Sequence, residues 1–175
     1  MSAAAPPVTS ALIIEVPEAE RVVGQWRQQL DQLAPVGVPA HVTCLFPFPM
    51  PDDLTAQDVD RIAVAAARTR CFQYRFSHCA WFGESVLWLA PDDPQPFRQL
   101  TESLTTAFPQ LRPYEGRFDR VIPHLTVGHK CPPERLRCAQ QSIEPRLPVT
   151  GVATALSLFV PRATGWECAA RFELS

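Results

Sequence analysis

The hydrophobic pattern along the first seventy residues predicts strands and helices in alternation. The apolar, β-branched ALIIEV (11–16) favours a strand, and PEAERVVGQWRQQLDQL (17–33) then repeats apolar positions at helical spacing after an opening proline. GVPAHVTCLFPF (37–48) is typical of a strand bounded by prolines, and DDLTAQDVDRIAVAAARTR (52–70) is typical of a helix.

The rest of the chain continues this alternation. It predicts two strands in 71–90 that join near Gly83, a helix at 91–108, a strand at 124–130 (HLTVGHK), a short helix at 132–145, and two strands in 149–175. The predicted order is β-α-β-α-β-β-α-β-α-β-β, and similar β-α contexts occur twice in it. This order favours the α+β fold class, with two lobes related by a pseudo-two-fold axis.

Composition narrows the class of protein and of ligand. With 175 residues, 46% of them hydrophobic and 19% charged, we expect one domain over 1–175 made of two closely packed lobes, with 1–10 flexible. The net charge is −2 and the pI is near 6.1, whereas proteins that hold long nucleic acid usually carry a basic surplus. We therefore expect a small nucleotide or a short oligonucleotide as ligand, and no long nucleic acid.

The sequence predicts neither a membrane segment nor a bound metal. The leading MSAAAPPVTS lacks the basic and apolar regions of a signal peptide, and no run approaches the eighteen or so apolar residues of a membrane span. The six cysteines form no CxxC pair, and neither their spacing nor the chain length suits a disulfide framework or a zinc knuckle. We expect a cytoplasmic monomer with reduced thiols and no membrane partner.

Two of the four histidines open matching motifs, HVTC and HLTV. Side chains alternate between the two faces of a strand, so His41 shares a face with Thr43, and His124 shares one with Thr126. If the two strands lie side by side, both imidazoles and both hydroxyls converge on one point. A single histidine followed by threonine is more often structural, but the two matching β-α contexts favour a functional pair.

Such a set of side chains suits hydrolysis of a phosphodiester. One neutral imidazole can remove a proton from the attacking water while one imidazolium protonates the departing oxygen, and histidine reaches both states near neutral pH. The hydroxyls can donate hydrogen bonds to the non-bridging phosphate oxygens, without a metal or a cofactor. Of the two histidines outside the motifs, we interpret His78 as structural and His129 as a candidate cation at the edge of the site.

The motifs, with GVPAHVTCLFPF, ESVLWLAPDDPQPFRQLTESL and YEGRFDRVIPHLTVGH, resemble the 2H phosphoesterase superfamily and its 2′-5′ RNA ligase-like branch over most of residues 10–160. The resemblance implies a bilobal fold in which two antiparallel sheets face a central cleft, with helices packed outside. It also implies a metal-independent phosphodiesterase acting on 2′,3′-cyclic phosphates or 2′-5′ linkages of nucleotides or short RNA, with RNA ligation as the reverse reaction.

The resemblance also assigns roles. His41 is implied as the acid toward the leaving ribose oxygen, His124 as the base toward water, and the motif threonines as phosphate ligands. Cys44 occupies the hydrophobic position of the first motif, and we expect it to point away from the cleft. Several relatives carry an arginine shortly after the second motif, where this chain has GHK (128–130), so tight binding of a polyanionic chain is not expected.

Aromatic residues near the motifs are candidate base-stacking groups. Phe46 follows the first motif and Tyr114 precedes the second, and an aromatic face suits any nucleobase. The alternative, which we favour, is that such residues pack beneath the cleft. Trp81, Phe82 and Trp88 alternate along the predicted hairpin, and we expect them in the core or at its rim rather than against a ligand.

Two other functions stay open at this point. The low basic content allows a phosphoesterase that acts on a cyclic phosphate metabolite other than RNA. The same fold also suits a non-catalytic nucleotide-binding protein, although the intact histidines and threonines of both motifs argue against that function.

Overall fold

The computed structural model describes residues 9–117 and 121–175, so most of the segment expected to be flexible, 1–10, lies outside the described residues. The described chain forms eight strands: β1 (Ser10–Glu15), β2 (His41–Phe48), β3 (Phe72–Phe82), β4 (Val86–Pro91), β5 (Leu125–His129), β6 (Val149–Ala153), β7 (Ala155–Arg162) and β8 (Gly165–Glu173). Its four α-helices are α1 (Glu20–Leu30), α2 (Ala56–Ala67), α3 (Gln95–Ala107) and α4 (Pro133–Ile143).

The strands form two four-stranded antiparallel sheets. The first sheet has the order β2-β1-β7-β8, and the second sheet has the order β5-β4-β3-β6. Each strand that carries a histidine motif, β2 or β5, is therefore an edge strand. The predicted α+β fold with two antiparallel sheets is confirmed.

The repeat in element order is also visible in the structure. In β1-α1-β2 a strand is followed by a helix and then by the antiparallel edge strand beside it, and β4-α3-β5 has the same arrangement. In both units the motif begins at or just before the first residue of the edge strand. The two motifs thus occupy equivalent positions in two similar units.

The C-terminal prediction of two strands is wrong, because the segment 149–175 contains three. The chain changes sheets at Thr154: β6 pairs with β3 in the second sheet, while β7 pairs with β1 in the first. A single residue separates β6 from β7, and no proline or glycine stands there to mark the break. The sheet that each half joins is decided by pairing with distant strands, which a local pattern does not contain.

Local signals explain how the elements face a shared core. Helix α2 begins with a capping box, in which the Thr55 side chain accepts from the Asp58 backbone N–H and Asp58 accepts from the Thr55 N–H. Its buried residues recur at helical spacing, and the buried apolar residues of both sheets and the helices form one contiguous cluster. None of the helices in the described chain combines the length and apolar character needed to cross a bilayer.

Candidate active site

The first motif lies on β2 with its polar and apolar side chains on opposite faces. His41 and Thr43 are partly exposed, whereas Val42 and Cys44 are buried at 0% and 1% relative exposure. Burial raises the pKa of the Cys44 thiol to about 12, so the thiol stays protonated at neutral pH. The expectation that Cys44 points away from the cleft is confirmed, and its protonated thiol is a poor nucleophile.

Both motif histidines are held by the same contact. The Nδ1 atom of His41 lies 2.7 Å from the carbonyl oxygen of Pro39, and Nδ1 of His124 lies 2.6 Å from that of Ile122. In each case the carbonyl belongs to the residue two positions earlier. Because a carbonyl can only accept, Nδ1 carries the proton in both rings, and the lone pair of each neutral imidazole is on Nε2.

The structure brings the two histidines together. Strand β2 packs against β5 at the junction between the sheets. The rings are close enough that positive charge on His124 lowers the pKa of His41. The two motif strands are therefore neighbours, and the convergence of both imidazoles and both hydroxyls on one point stays a prediction.

Burial sets the protonation of both rings. The pKa of His41 falls from 6.5 to about 4, chiefly because burial disfavours the cation, and the nearby Arg27 guanidinium lowers it further, while the Pro39 carbonyl partly opposes the change. The pKa of His124 is also lowered by burial, with the Ile122 carbonyl acting in the opposite direction. Both rings are therefore neutral at pH 7 in the free protein.

Tyr114 reaches the first motif from the loop that precedes the second. Its phenol is within hydrogen-bonding range of the Thr43 hydroxyl, and burial raises the pKa of the phenol, which keeps it protonated. Tyr114 and Glu115 have φ angles of 52° and 58°, a left-handed conformation that costs non-glycine residues about 1–3 kcal/mol each. Packing of the Pro113–Gly116 turn against β2 holds this strained loop in place.

An aromatic wall stands beside the second motif. Trp88 lies directly opposite Thr126 in the β4–β5 pair, so their side chains share a face. Phe82 stacks on Trp88 with ring centroids 4.6 Å apart, and the two rings lie 5.1 Å and 5.7 Å from the His124 ring. The Trp88 indole N–H is buried and meets no acceptor in the described part of the chain.

The hairpin residues lie in the core or at its rim, as predicted. Trp88 is buried and Trp81, which donates to Gln140 at 2.8 Å, is a half-buried neighbour of the core, as expected. Phe82 is partly exposed at the rim, where its ring also contacts His124. The sequence shows the alternation of the hairpin, but it does not show that β5 lies next to it.

The face that carries His41 continues across the first sheet as a polar strip. Register places Glu15 opposite His41, and it places Arg171 opposite Ser157. Glu15 Oε1 accepts from the Ser157 hydroxyl at 2.6 Å and from Arg171 at 2.8 Å. The arginine on this face is therefore paired with a carboxylate.

Two predicted ligand contacts lie away from the histidines. Phe46, predicted to stack on a base, stands five residues beyond His41 on β2, about 17 Å along an extended strand. His129 lies at the far end of β5, where its Nδ1 is 3.9 Å from Asp31 Oδ1. Among residues 9–117 and 121–175, no three His, Cys, Asp or Glu side chains are arranged to hold a metal ion.

The fold and the paired motifs together define the 2H phosphoesterase class. The family model of the 2′-5′ RNA ligase superfamily matches residues 15–165, and the chain belongs to that superfamily. The family expected from the motifs is confirmed. Comparison with curated protein sequences gives no significant match.

Solved structures share the fold across the whole chain. E. coli LigT complexed with 3′-AMP gives a TM-score of 0.60 at 17% identity, covering 97% of this chain and 99% of that one. E. coli LigT complexed with NADP+ gives 0.59 at 19% identity, with coverages of 98% and 99%. A protein of Thermus thermophilus, TT0787, gives 0.56 at 18% identity, with coverages of 94% and 97%. At these identities the similarity establishes the fold alone.

Proposed function

We propose that this protein is a phosphodiesterase that hydrolyses 2′,3′-cyclic phosphates or 2′-5′ linkages of nucleotides or short RNA by two-histidine acid–base catalysis. The observation that carries the proposal is the matched pair of imidazoles, each with Nδ1 donating to the carbonyl two residues earlier. This contact leaves both Nε2 atoms available for proton transfer. Membership of the 2′-5′ RNA ligase superfamily supports the reaction class.

The environment of the two rings favours a division of roles. Arg27 lowers the pKa of His41 in addition to burial, so His41 is the ring more strongly held neutral. We therefore assign His41 as base and His124 as acid for hydrolysis, which reverses the assignment implied by family resemblance. A bound phosphate anion favours the imidazolium form and supplies the protonated acid.

In the proposed step, His41 Nε2 takes a proton from water as the water oxygen bonds to phosphorus. The bond from phosphorus to the leaving ribose oxygen breaks, and that oxygen receives the proton of His124. Thr43 and Thr126 donate to the non-bridging oxygens, where negative charge grows in the transition state. The same step with a ribose hydroxyl in place of water would open a cyclic phosphate, protonate the departing ring oxygen and form a new phosphodiester, as in RNA ligation.

A nucleotide ligand is supported by the aromatic wall. The partly exposed Phe82 ring, stacked on Trp88, offers a face to a planar base next to the second motif. The similar LigT fold has been solved with 3′-AMP, NADP+ and ATP, which are all small nucleotides. The net charge of −2 agrees with a small ligand rather than a long polyanion.

The first experiment is hydrolysis of 2′,3′-cyclic nucleotides in excess EDTA by the wild type, His41→Ala and His124→Ala. We expect turnover that resists chelation and falls at least about a hundredfold in each variant, the usual scale for losing an acid or a base. His78→Ala is the matched control, because His78 is exposed and carries no motif. Turnover that survives both motif substitutions would contradict the proposal.

A second candidate substrate is a cyclic phosphate metabolite other than RNA. It is favoured by the first sheet, where Glu15 pairs with Arg171 on the cleft face. That arginine is therefore not available as an unpaired cation for a further phosphate. Comparing kcat/KM for cyclic mononucleotides with that for 2′-5′ dinucleotides and for cyclic phosphates without a base separates the candidates.

A further inference from the structure

The end of helix α1 carries a buried ion pair beneath the first motif. Arg27 and Asp31 are 1% and 4% exposed, and their side chains meet at 2.8 Å. Burying two charges costs several kcal/mol per ion, and their mutual attraction often only offsets that cost. Two apolar side chains would fill the same space without the cost of burying charge, so stability alone does not explain the Arg27–Asp31 pair.

The pair is bonded to the residues that orient His41. Arg27 Nη2 donates to the Val38 carbonyl at 3.2 Å, and the Ala40 N–H donates to Glu20, which also lies 3.5 Å from Arg27. These contacts hold the backbone on both sides of Pro39. The Pro39 carbonyl is the group that accepts from His41 Nδ1.

The same helix end touches the second motif strand. A Cβ atom on Gly128 would lie 2.6 Å from Leu30 Cβ and 3.1 Å from the Leu30 carbonyl oxygen, so α1 packs directly on the β5 backbone. Asp31 Oδ1 also lies 3.9 Å from His129 Nδ1 at the end of β5. The end of α1 is therefore a common support for both motif strands.

We infer that Arg27 and Asp31 are positioning residues, which fix the His41 imidazole relative to the second motif through the backbone at 38–40. The kinetic consequence of this inference rests on the proposed function, but the placement of His41 does not. A base held in place by a buried fork of hydrogen bonds avoids the large rate loss that small displacements cause.

The inference can be tested through the pKa of His41, on which the two charges of the ion pair act in opposite directions. Arg27 lowers the pKa of His41 and Asp31 raises it. Within residues 9–117 and 121–175, the other charged or titratable groups placed near His41 are Glu15, directly opposite on β1 and paired with an arginine, and His124. Removing either member of the buried pair should thus shift the pKa of His41 in a different direction, whereas general loosening would expose the ring and raise its pKa in both cases.

The test measures the His41 ring by NMR of histidine-labelled full-length protein without substrate, and then kcat and KM with a 2′,3′-cyclic nucleotide. We expect Arg27→Met to raise the pKa of His41 and Asp31→Asn not to raise it. In Arg27→Met, kcat should fall on the order of tenfold or more with KM within about threefold, since a displaced base costs rate rather than binding.

Arg27→Lys separates position from charge. Lysine keeps the charge but not the planar fork, so the pKa of His41 should stay low while kcat falls by about threefold or more. Arg61→Met is the control, because Arg61 makes an exposed ion pair with Asp58 on α2, and it should change neither quantity. If Arg27→Met does not fold, the His41 pKa and kcat measured in Arg27→Lys and Asp31→Asn test the inference instead.

Two results would overturn the inference. One is that the Arg27 variants have the same kcat and the same His41 NMR resonances as the wild type. The other is an equal upward shift of the His41 pKa in Arg27→Met and Asp31→Asn. A wild type without turnover would overturn the proposed function only, because the NMR comparison needs no substrate.

Discussion

At the scale of single residues, the proposed chemistry depends on four polar groups, two Nε2 atoms and two hydroxyls. A carbonyl fixes the tautomer of each imidazole, so that Nδ1 carries the proton and Nε2 can accept one. The hydroxyls have a different task, which is to stabilise charge on the phosphate oxygens. Their contribution can be separated from proton transfer.

We expect Thr126→Val to lower kcat by about a hundredfold, because a lost donor to a developing oxyanion typically costs about 100- to 1000-fold. Thr126→Ser keeps the hydroxyl and should stay within about tenfold of the wild type. Steady-state kinetics on a 2′,3′-cyclic nucleotide checks both values. Equal activity of the valine and serine variants would show that the Thr126 hydroxyl does not contact the reacting phosphate.

The sequence predicts the motif residues because the two-residue period of a strand fixes which side chains share a face. Arg27 and Asp31 give no comparable signal, since an Arg–Asp pair four residues apart on a helix is ordinarily exposed. Their burial depends on the packing of α1 against β5, about a hundred residues later in the chain, where Asp31 lies 3.9 Å from His129. The contact of Phe82 with His124 is likewise not predictable from a local pattern, because it depends on the β4–β5 pairing.

At the scale of elements, the site depends on a close approach between α1 and β5. The absence of a side chain at Gly128 lets the helix end lie on the strand, and an added Cβ would also meet Leu136 Cδ2 at 2.9 Å. Backbone atoms are part of this contact, so it cannot be relieved by a rotamer change alone.

We therefore expect Gly128→Ala to destabilise the fold by about 1–3 kcal/mol, the usual cost of overpacking a core. Activity should fall as well, because the change pushes α1 away from the second motif strand. Thermal and urea unfolding measure the first effect. Gly83→Asn is the control, since Gly83 has nothing within 4 Å of its Cβ position and its φ of 57° suits asparagine; a Gly128 variant as stable as this control would contradict the argument.

The order of elements was predictable because each helix and strand has its own period and its own proline or glycine boundaries. The break at Thr154 was not, since residues 149–162 are β-prone throughout and only long-range pairing divides them between sheets. Which sheet a strand joins is decided by its pairing with strands elsewhere in the chain.

At the scale of the whole molecule, burial of both imidazoles sets the pH dependence. In the proposed mechanism the active free form has one neutral and one protonated histidine. With the pKa of His41 at about 4 and that of His124 below 6.5, this form is most populated on the acid side of neutrality. We expect kcat/KM to peak below pH 6.5 and to fall by about tenfold per pH unit on the alkaline side.

Rate measurements from pH 4 to 9 on a cyclic nucleotide test this profile. The optimum of kcat should lie at higher pH than that of kcat/KM, because the bound phosphate anion raises the pKa of the acid. A kcat/KM that stays constant up to pH 9 would contradict the two-histidine scheme.

The change of sheets at Thr154 also has a consequence for the order of assembly. The strands of the second sheet lie in one unbroken stretch, 72–153, whereas the first sheet joins β1 and β2 to β7 and β8 from beyond that stretch. A ribosome therefore completes the second sheet while β1 and β2 still lack β7, and a two-stranded ribbon is only marginally stable by itself. The sheet that carries His41 can therefore be completed only after β7 and β8 have been made, later than the sheet that carries β5.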